Sequence, residues 1–325
     1  MPIPGLTASN RILCEESERL GFHVTAITGA DTVLIHEGHG LRFYTRGTQT
    51  SVQSSVGRTI AFDKALAKAL LVHHGLPTAR GFLATTEADL DQLAGLEAPY
   101  VVKPVDGKQG VGVTVGLPDA AAVRSRFMVR TGPVVVEELL RGTEYRVVCI
   151  AGEVVAVACR RAAFVTGDGQ ATIAALVAQK NTHPWRGAGH LNNLTAITFD
   201  DGVHDQLASL NLTVASIPAA GQDVPLRRAA NLSLGGEAVD VTDAMSPQNR
   251  ALMGQVARAV DLDIVGIDVI CASLSDPIAA QPHAGVVEVN ASPGLRMHHF
   301  PMSGTPRNVG RLVLEHVIAR LGGRR

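Results

Sequence analysis

The sequence predicts an α+β fold that is divided into lobes, and three observations lead to this prediction. The chain has 325 residues, 46% of them hydrophobic, which is enough for two or three lobes with packed cores. Its central part consists of short strand-like runs separated by turns. The rest alternates helices and strands more widely around long irregular segments. We therefore expect three parts, at residues 1–80, 81–165 and 166–325.

The first part combines helices with a β-ribbon. Residues 9–20 have the pattern of a short capped helix. The runs VLIHEG and LRFYTRG follow as a ribbon, with a turn around Gly38 and Gly40. From Phe62 to His74 the apolar residues recur at helical spacing, and Gly75-Leu76-Pro77 ends this helix.

The second and third parts differ in how densely strands follow one another. In the second, the strand-like runs are PYVVKP, VGVTVG, PVVVEELL, YRVVCIAG and EVVAVACRR, with residues 118–129 as the one helix among them. In the third, we predict helices over 171–180, 246–260 and 306–321 and strands at VGIDVICA and GVVEVNAS. Residues 181–200 and 217–238 show weak periodicity, and long irregular segments of this kind are usually functional loops.

Composition argues against several classes of protein. The 29 basic and 30 acidic residues give no electrostatic reason to expect a nucleic acid or an anionic membrane as partner. The N-terminal residues MPIPGLTASN do not resemble a signal peptide, and no apolar run approaches the length of a membrane span. The four cysteines show no CxxC spacing that would indicate zinc or a disulfide framework. We expect a cytoplasmic protein.

Two acids and an amide form the strongest candidate site. Asp268 lies inside the apolar run VGIDVI, while Glu288 and Asn290 are two residues apart in VVEVNASPG. Side chains two apart on a strand point to the same face, so these three can form an all-oxygen site of the kind that suits Mg²⁺. The alternative is a buried structural cluster whose charges are satisfied by backbone groups or by an arginine.

Two lysines and a glycine-rich turn form a second, weaker candidate. Lys103 ends an apolar strand and Lys64 follows Asp63 in the helix predicted from Phe62 to His74, although a lone lysine is most often a solvated surface charge. Residues 106–113 read DGKQGVGV, a turn whose backbone amides can close over phosphates. This turn is neither a Walker A loop nor a dinucleotide fingerprint.

The segment VVVEELLRGTEYRV could form a hinge with acidic residues. Glu137 and Glu138 end a strand, and Glu144 follows seven residues after Glu137. A hinge backbone can bind adenine and a glutamate can bind ribose hydroxyls, but an exposed loop acid is an equally good reading of Glu144.

Taken together, these motifs resemble the ATP-grasp superfamily, in particular the ATP-grasp region of cyanophycin synthetase and of the fused glutamate-cysteine ligase/glutathione synthetase. The resemblance covers roughly residues 36–321. It is carried by Asp63-Lys64, Gly75-Leu76-Pro77, Val101-Val102-Lys103-Pro104, the 106–113 turn, Val136-Glu137-Glu138-Leu139, Thr166-Gly167-Asp168-Gly169, Arg186-Gly187-Ala188-Gly189-His190, the run from Ala230 to Gly236, Gly266-Ile267-Asp268-Val269 and the run from Glu288 to Arg296.

The resemblance implies an ATP-grasp fold, in which two α+β lobes grip ATP. Residues 81–165 would form the central lobe and lid, and 166–325 the lobe with the metal site and substrate loops. The segment before Lys64 is short for this family, so residues 1–80 would form a reduced lobe that a homodimer could complete.

The resemblance also implies a role for each matching residue. Lys64 and Lys103 would contact ATP phosphates. The loop with Gly107, Gly110 and Gly112 would fold over them. Adenine would be contacted by Glu137, Glu138 and Leu139, and the ribose by Glu144. Mg²⁺, with Mn²⁺ as a substitute, would be bound by Asp268, Glu288 and Asn290. The substrate carboxylate and the acyl phosphate would be bound by Arg160, Arg228 and Arg296.

The implied activity is that of an ADP-forming carboxylate–amine ligase. It would join an amino acid or small peptide to an amine through an acyl phosphate, with ATP and Mg²⁺. One alternative is an ATP-grasp enzyme that modifies a ribosomal peptide or a protein, because residues 181–200 and 217–238 could shape a groove for a chain. The other is a nucleotide-binding module without catalysis, which the presence of all the expected site residues disfavours.

Overall fold

The computed structural model describes residues 6–29, 31–106 and 111–323 and has the predicted α+β architecture. Within these ranges the α-helices are α1 (Ala8–Arg19), α2 (Ser55–Phe62), α3 (Lys64–His73), α4 (Ala120–Met128), α5 (Ile173–Asn181), α6 (Asp201–Ser209), α7 (Pro247–Ala259), α8 (Arg296–His299) and α9 (Val309–Gly322). The strands are β1 (His23–Thr28), β2 (Thr32–Gly38), β3 (Leu41–Arg46), β4 (Gln49–Thr50), β5 (Gly81–Ala84), β6 (Tyr100–Pro104), β7 (Thr114–Leu117), β8 (Val134–Glu138), β9 (Thr143–Ile150), β10 (Glu153–Arg161), β11 (Phe164–Thr166), β12 (Arg186–Gly187), β13 (Leu194–Thr195), β14 (Asp223–Pro225), β15 (Glu237–Asp240), β16 (Ile264–Cys271) and β17 (Gly285–Asn290).

The chain divides into two compact units. The first consists of Met1–Ser51, Ala158–Val241 and Gly294–Arg325, and the second of Val52–Val157 and Thr242–Pro293. The division into three parts at residues 80 and 165 stays a prediction. Among the described residues, no helix is both long and apolar enough to cross a membrane.

The second unit contains two sheets. The order of the smaller sheet is β5-β8-β6-β7, and its apolar face packs on α4 and on a 3₁₀ helix at Glu87–Gly95. Val102, Val136 and Phe127 are buried in that core. The other sheet of this unit holds β9, β16 and β17 in that order, next to the part of β10 that ends at Val157, with β16 antiparallel to both of its neighbours.

Strand β17 carries a bulge at the centre of its pairing with β16. Glu288 lies opposite Asp268, but the next pair is Val286 with Val269, so Val287 is an extra residue. A bulge of this kind bends a strand and leaves one residue outside the regular ladder.

The first unit contains, after α1, the ribbon that the sequence predicts, as part of a four-stranded sheet in the order β1-β2-β3-β4. His39 and Gly40 both have positive φ, 50° and 71°, which is the conformation of a two-residue type I′ hairpin turn. The unit also contains the pairs β10–β15, β11–β14 and β12–β13. Helices α5 and α6 contribute Ile173, Val203 and Leu207 to its apolar core.

Most predicted elements are confirmed within one to three residues, and strands β1 and β5 are among those that were not predicted. Helices α2 and α6 were not predicted, nor was the 3₁₀ helix Glu87–Gly95. Among the described residues between β6 and β10, α4 is the one helix, as predicted for residues 118–129. The segment 181–200 contains β12 and β13, and 217–238 contains β14 and the start of β15. Elements of two to four residues are too short to show a period.

His36 is a buried histidine of β2 whose protonation is expected to affect stability. Its Nδ1 lies 2.7 Å from Ser17 Oγ and its Nε2 3.0 Å from Thr45 Oγ1, and its ring stacks on Phe43 at 4.6 Å. Burial lowers the pKa of His36 from 6.5 to about 4.

Because the unfolded chain binds a proton below pH 6.5 and the folded chain does not, the stability that neutral His36 confers is present above pH 6.5. It is lost as the pH falls through about 4. Over this window the loss should reach about 3 kcal/mol. We expect urea unfolding at several pH values to show a shallower acid dependence for His36→Gln than for the wild type. Equal slopes would contradict this role.

Candidate active site

The three predicted metal-ligand candidates lie together on one face of the β9–β16–β17 strands. Asp268 is paired directly opposite Glu288 on β17, and Asn290 is opposite Gly266. Residues directly opposite in an antiparallel pair point to the same face. The Asn290 amide nitrogen is 3.3 Å from Glu288 Oε1 and 3.5 Å from Asp268 Oδ2, so the predicted clustering of the three side chains is confirmed.

Arg146, which the sequence analysis did not single out, holds Asp268 from the opposite strand. It is paired with Asp268 across β9 and β16. Its Nη2 donates to Asp268 Oδ2 at 2.9 Å and its Nε donates to Oδ1. Both side chains are buried, and only 2% of Asp268 is exposed. A Cβ on the neighbouring Gly266 would lie 3.3 Å from Arg146 Cδ, so glycine there leaves room for the guanidinium.

On the strands themselves, the Arg146 guanidinium faces two carboxylates, those of Asp268 and Glu288. Burial raises the pKa of Glu288, the nearby Asp268 raises it further, and Arg146 opposes both effects. An arginine thus neutralises the buried charge of Asp268, as in a purely structural cluster, but it neutralises the charge of Glu288 only in part. Protonation or a bound cation would each relieve this imbalance.

The donor set fits a hard divalent cation. Mg²⁺ in proteins is usually held by one or two carboxylates together with substrate phosphates, and Asp268, Glu288 and the Asn290 amide supply only oxygen ligands of this kind. In residues 6–29, 31–106 and 111–323 no group of three or more His, Cys, Asp and Glu side chains could hold a metal ion. The cluster of Asp268, Glu288 and Asn290 contains two carboxylates and an amide, and so is not a group of that kind.

The two predicted lysines lie near each other, and Lys64 lies close enough to Glu288 for their charges to interact. Lys64 is the first residue of α3, whose N-cap Asp63 accepts hydrogen bonds from the next two backbone N–H groups at 2.9 Å. Burial lowers the pKa of Lys64, the charge of Glu288 raises it and the charge of Lys103 lowers it. The structure thus brings Lys64 and Lys103 together with Glu288.

Glu137 and Glu138 leave β8 toward different partners. Glu137 Oε1 is 2.5 Å from Lys103 Nζ, which also lies 3.3 Å from the Val287 carbonyl oxygen. Glu138 Oε1 accepts from the Glu97 backbone N–H at 2.9 Å and is 3.2 Å from Arg80. Each of the two carboxylates therefore forms an ion pair, Glu137 with Lys103 and Glu138 with Arg80.

Leu139, Glu144 and Gly112 complete the candidates of this unit. The Leu139 N–H donates to the Pro99 carbonyl at 2.9 Å, so an adenine contact from Leu139 would use its carbonyl or side chain. Glu144 is half-buried, two residues before Arg146 on the same face of β9. Gly112 has φ of 75°, and its carbonyl accepts from Arg126 at 3.0 Å. Gly107 and Gly110 lie outside the described residues.

The three arginines proposed for the substrate belong to the first unit. Arg160 lies on β10 opposite Ala238, and Arg228 Nε donates to Gln206 Oε1 at 3.2 Å.

The guanidinium of Arg296 is buried against a loop. It donates to the carbonyls of Gly189 and Asn192 at 3.4 and 3.1 Å and to Thr195 Oγ1 at 3.2 Å. Burial lowers the pKa of Arg296. Its acceptors among the described residues are all neutral, so an anionic ligand would supply the negative charge that this cation lacks.

Comparison with known proteins identifies the relatives of this chain. The family model described as a RimK-like ATP-grasp domain matches residues 61–171 and 210–304. Cyanophycin synthetase of Trichormus variabilis is 36% identical over 320 residues, which are 95% of this chain and 35% of that protein. The glutathione biosynthesis bifunctional protein GshAB of Mannheimia succiniciproducens is 33% identical over 319 residues, which are 94% of this chain and 42% of that protein. The chain thus spans about a third to two fifths of these relatives.

Solved structures give the same result for the fold. The bifunctional glutathione synthetase from Pasteurella multocida superposes with a TM-score of 0.76 at 29% identity, over 97% of this chain and 44% of that one. D-alanine–D-alanine ligase from Bacillus anthracis has a TM-score of 0.50 at 17% identity, over 84% of this chain and 72% of that one, and shows the fold alone. The predicted fold class and family resemblance are confirmed.

Proposed function

This chain belongs to the RimK-like ATP-grasp family, and from this premise we propose that it is an ATP-dependent carboxylate–amine ligase. The γ-phosphoryl group of ATP passes to a substrate carboxylate, which leaves ADP and an acyl phosphate. An amine then displaces phosphate and forms an amide. The observation that carries the proposal is the cluster of Asp268, Glu288 and Asn290 on one face, with Lys64 and Lys103 beside it.

The carboxylate cluster is proposed to bind Mg²⁺, with Mn²⁺ as a substitute. Asp268, Glu288 and Asn290 would be the protein ligands, and the cation would neutralise charge on the β- and γ-phosphates. Arg146 holds Asp268 by two parallel hydrogen bonds, which fixes the orientation of that carboxylate before a ligand arrives.

The other residues are proposed to bind and orient the two reactants. Lys64 and Lys103 would contact the phosphates and the residues around Gly112 would cover them, while the hinge at Glu137–Leu139 would bind adenine and Glu144 the ribose. Arg160, Arg228 and Arg296 remain our candidates for the substrate carboxylate and the acyl phosphate, because a guanidinium can bind both oxyanions bidentately. Positioning and charge neutralisation supply most of the catalysis in such a reaction.

An amino acid or a small peptide is the proposed substrate, since the names of the relatives refer to the synthesis of cyanophycin and glutathione. We expect the purified protein to release ADP from Mg-ATP when pools of amino acids or dipeptides are added, and to stop when EDTA removes the cation. ATP binding without turnover in any pool would instead favour a ribosomal peptide or a protein as substrate. Failure to bind Mg-ATP would contradict the proposed function itself.

A further inference from the structure

Two buried lysines share one buried carboxylate in the second unit. Glu137 Oε1 is 2.5 Å from Lys103 Nζ and 3.5 Å from Lys68 Nζ. The exposed fractions are 5% for Glu137, 6% for Lys103 and 8% for Lys68. Lys68 lies one helical turn after Lys64 on α3, so both lysines point from the same face of that helix.

The two lysines are held differently. Lys68 Nζ also donates to the Ala79 carbonyl, a hydrogen bond that ties it to the main chain beyond the end of α3. Lys103 Nζ has, besides Glu137, the more distant Val287 carbonyl at 3.3 Å. Lys68 is therefore anchored by the backbone, whereas the position of Lys103 depends mainly on Glu137.

This difference matters when a phosphate competes for Lys103. A buried carboxylate that loses its only cationic partner is strongly destabilised, because the interior solvates charge poorly. If Lys103 turned from Glu137 to a phosphate, Glu137 would still face Lys68. Burial lowers the pKa of Lys68, and the charge of Glu137 opposes that shift, so Glu137 already favours the charged form of Lys68.

We propose that Lys68 is a positioning residue for ATP: it remains as the counter-ion of Glu137 and so allows Lys103 to leave that carboxylate and bind a phosphate of the nucleotide. This inference rests on the proposed function, in which Lys103 contacts ATP. Lys68 itself touches no reacting atom. It lowers the free-energy cost of exchanging one partner of Lys103 for another.

The first test compares ATP with adenosine. Lys68→Met removes the charge but keeps a side chain of similar length, and we expect it to weaken Mg-ATP binding by about 10- to 100-fold. Adenosine has no phosphate to attract Lys103, so its affinity should change by less than about threefold. An equal loss for both ligands would mean that the substitution merely distorts the pocket and would overturn the proposal.

The second test is a double-mutant cycle with Glu137→Gln. Once Glu137 carries no charge, it needs no counter-ion, and Lys68→Met should then have little further effect on ATP affinity. We expect the double variant to bind ATP within about threefold of Glu137→Gln alone. Additive losses from the two substitutions would contradict a shared role.

A matched control exists in the first unit. Glu237 is also a buried carboxylate shared by two cations, 2.9 Å from Lys180 Nζ and 2.5 Å from Arg186 Nη2. Like Lys68→Met, Lys180→Met removes one of two cations from a buried carboxylate and should lower the free energy of unfolding. Unlike Lys68→Met, it should leave the affinity for ATP unchanged. If wild-type protein binds no Mg-ATP, the proposed function fails. If it binds ATP and Lys68→Met binds it equally well, only the present inference fails.

Discussion

Replacing Glu288 by glutamine is expected to lower ADP formation by about a thousandfold or more, because it removes a charged ligand from the proposed cation site. Glutamine has the same size, and the buried guanidinium of Arg146 keeps its partner Asp268. Steady-state turnover with saturating Mg-ATP and the best substrate from the pools measures this effect.

The same substitution should not reduce stability. Burial and the neighbouring Asp268 raise the pKa of Glu288, which means that the fold disfavours its charged form relative to the unfolded chain. We therefore expect Glu288→Gln to unfold at the same temperature as the wild type or at a higher one. Glu153→Gln, at an exposed position of β10, serves as the control for both measurements. A Glu288→Gln protein with undiminished turnover would exclude this carboxylate from catalysis.

Arg146→Met is expected to have the largest effect on stability, a loss of about 3–5 kcal/mol at neutral pH. The substitution leaves Asp268 buried beside Glu288 without the guanidinium that now compensates them. The loss should shrink as the pH falls, because the two carboxyl groups can then take up protons and the repulsion between them disappears. Denaturant unfolding between pH 5 and 8 measures both the size and the pH dependence.

A second substitution separates charge from packing at this position. Asp268→Asn in the Arg146→Met background removes one of the two uncompensated charges, so the double variant should be more stable than Arg146→Met alone. If the double variant were less stable than either single variant, the role of Arg146 would be packing. Neither variant is expected to turn over, which makes stability the informative measurement.

The sequence was most informative where the periodicity of a single strand or helix determines which side chains share a face. Asp268, Glu288 and Asn290 could be predicted to share a face because strand side chains alternate and because their two strands are strongly apolar. The β-ribbon and α3 could be predicted for the same reason, together with their turn and end signals. The shared fold also followed from the order and spacing of the motifs.

Arg146 and Lys68 could not be recognised in the same way. Arg146 meets Asp268 through the register between β9 and β16, which one strand does not reveal without the other. Lys68 lies on a helix where a lysine would ordinarily be a solvated charge, and its burial depends on the packing of α3 near β6 and β8. Helices α2 and α6 are short and each has a glycine among its first three residues, Gly57 and Gly202, which is unfavourable inside a helix.

The bulge in β17 constrains how this strand can vary in length during evolution. Val287 is the extra residue, and its carbonyl accepts a hydrogen bond from Lys103. Glu288 and Asn290 remain two residues apart, so both side chains lie on the same face of the sheet as Asp268. Deleting one residue here would make a more regular ladder and at the same time put Val286 or Glu288 on the wrong face. Relatives with this chemistry should therefore tolerate substitutions along GVVEVN far better than an insertion or a deletion of a single residue.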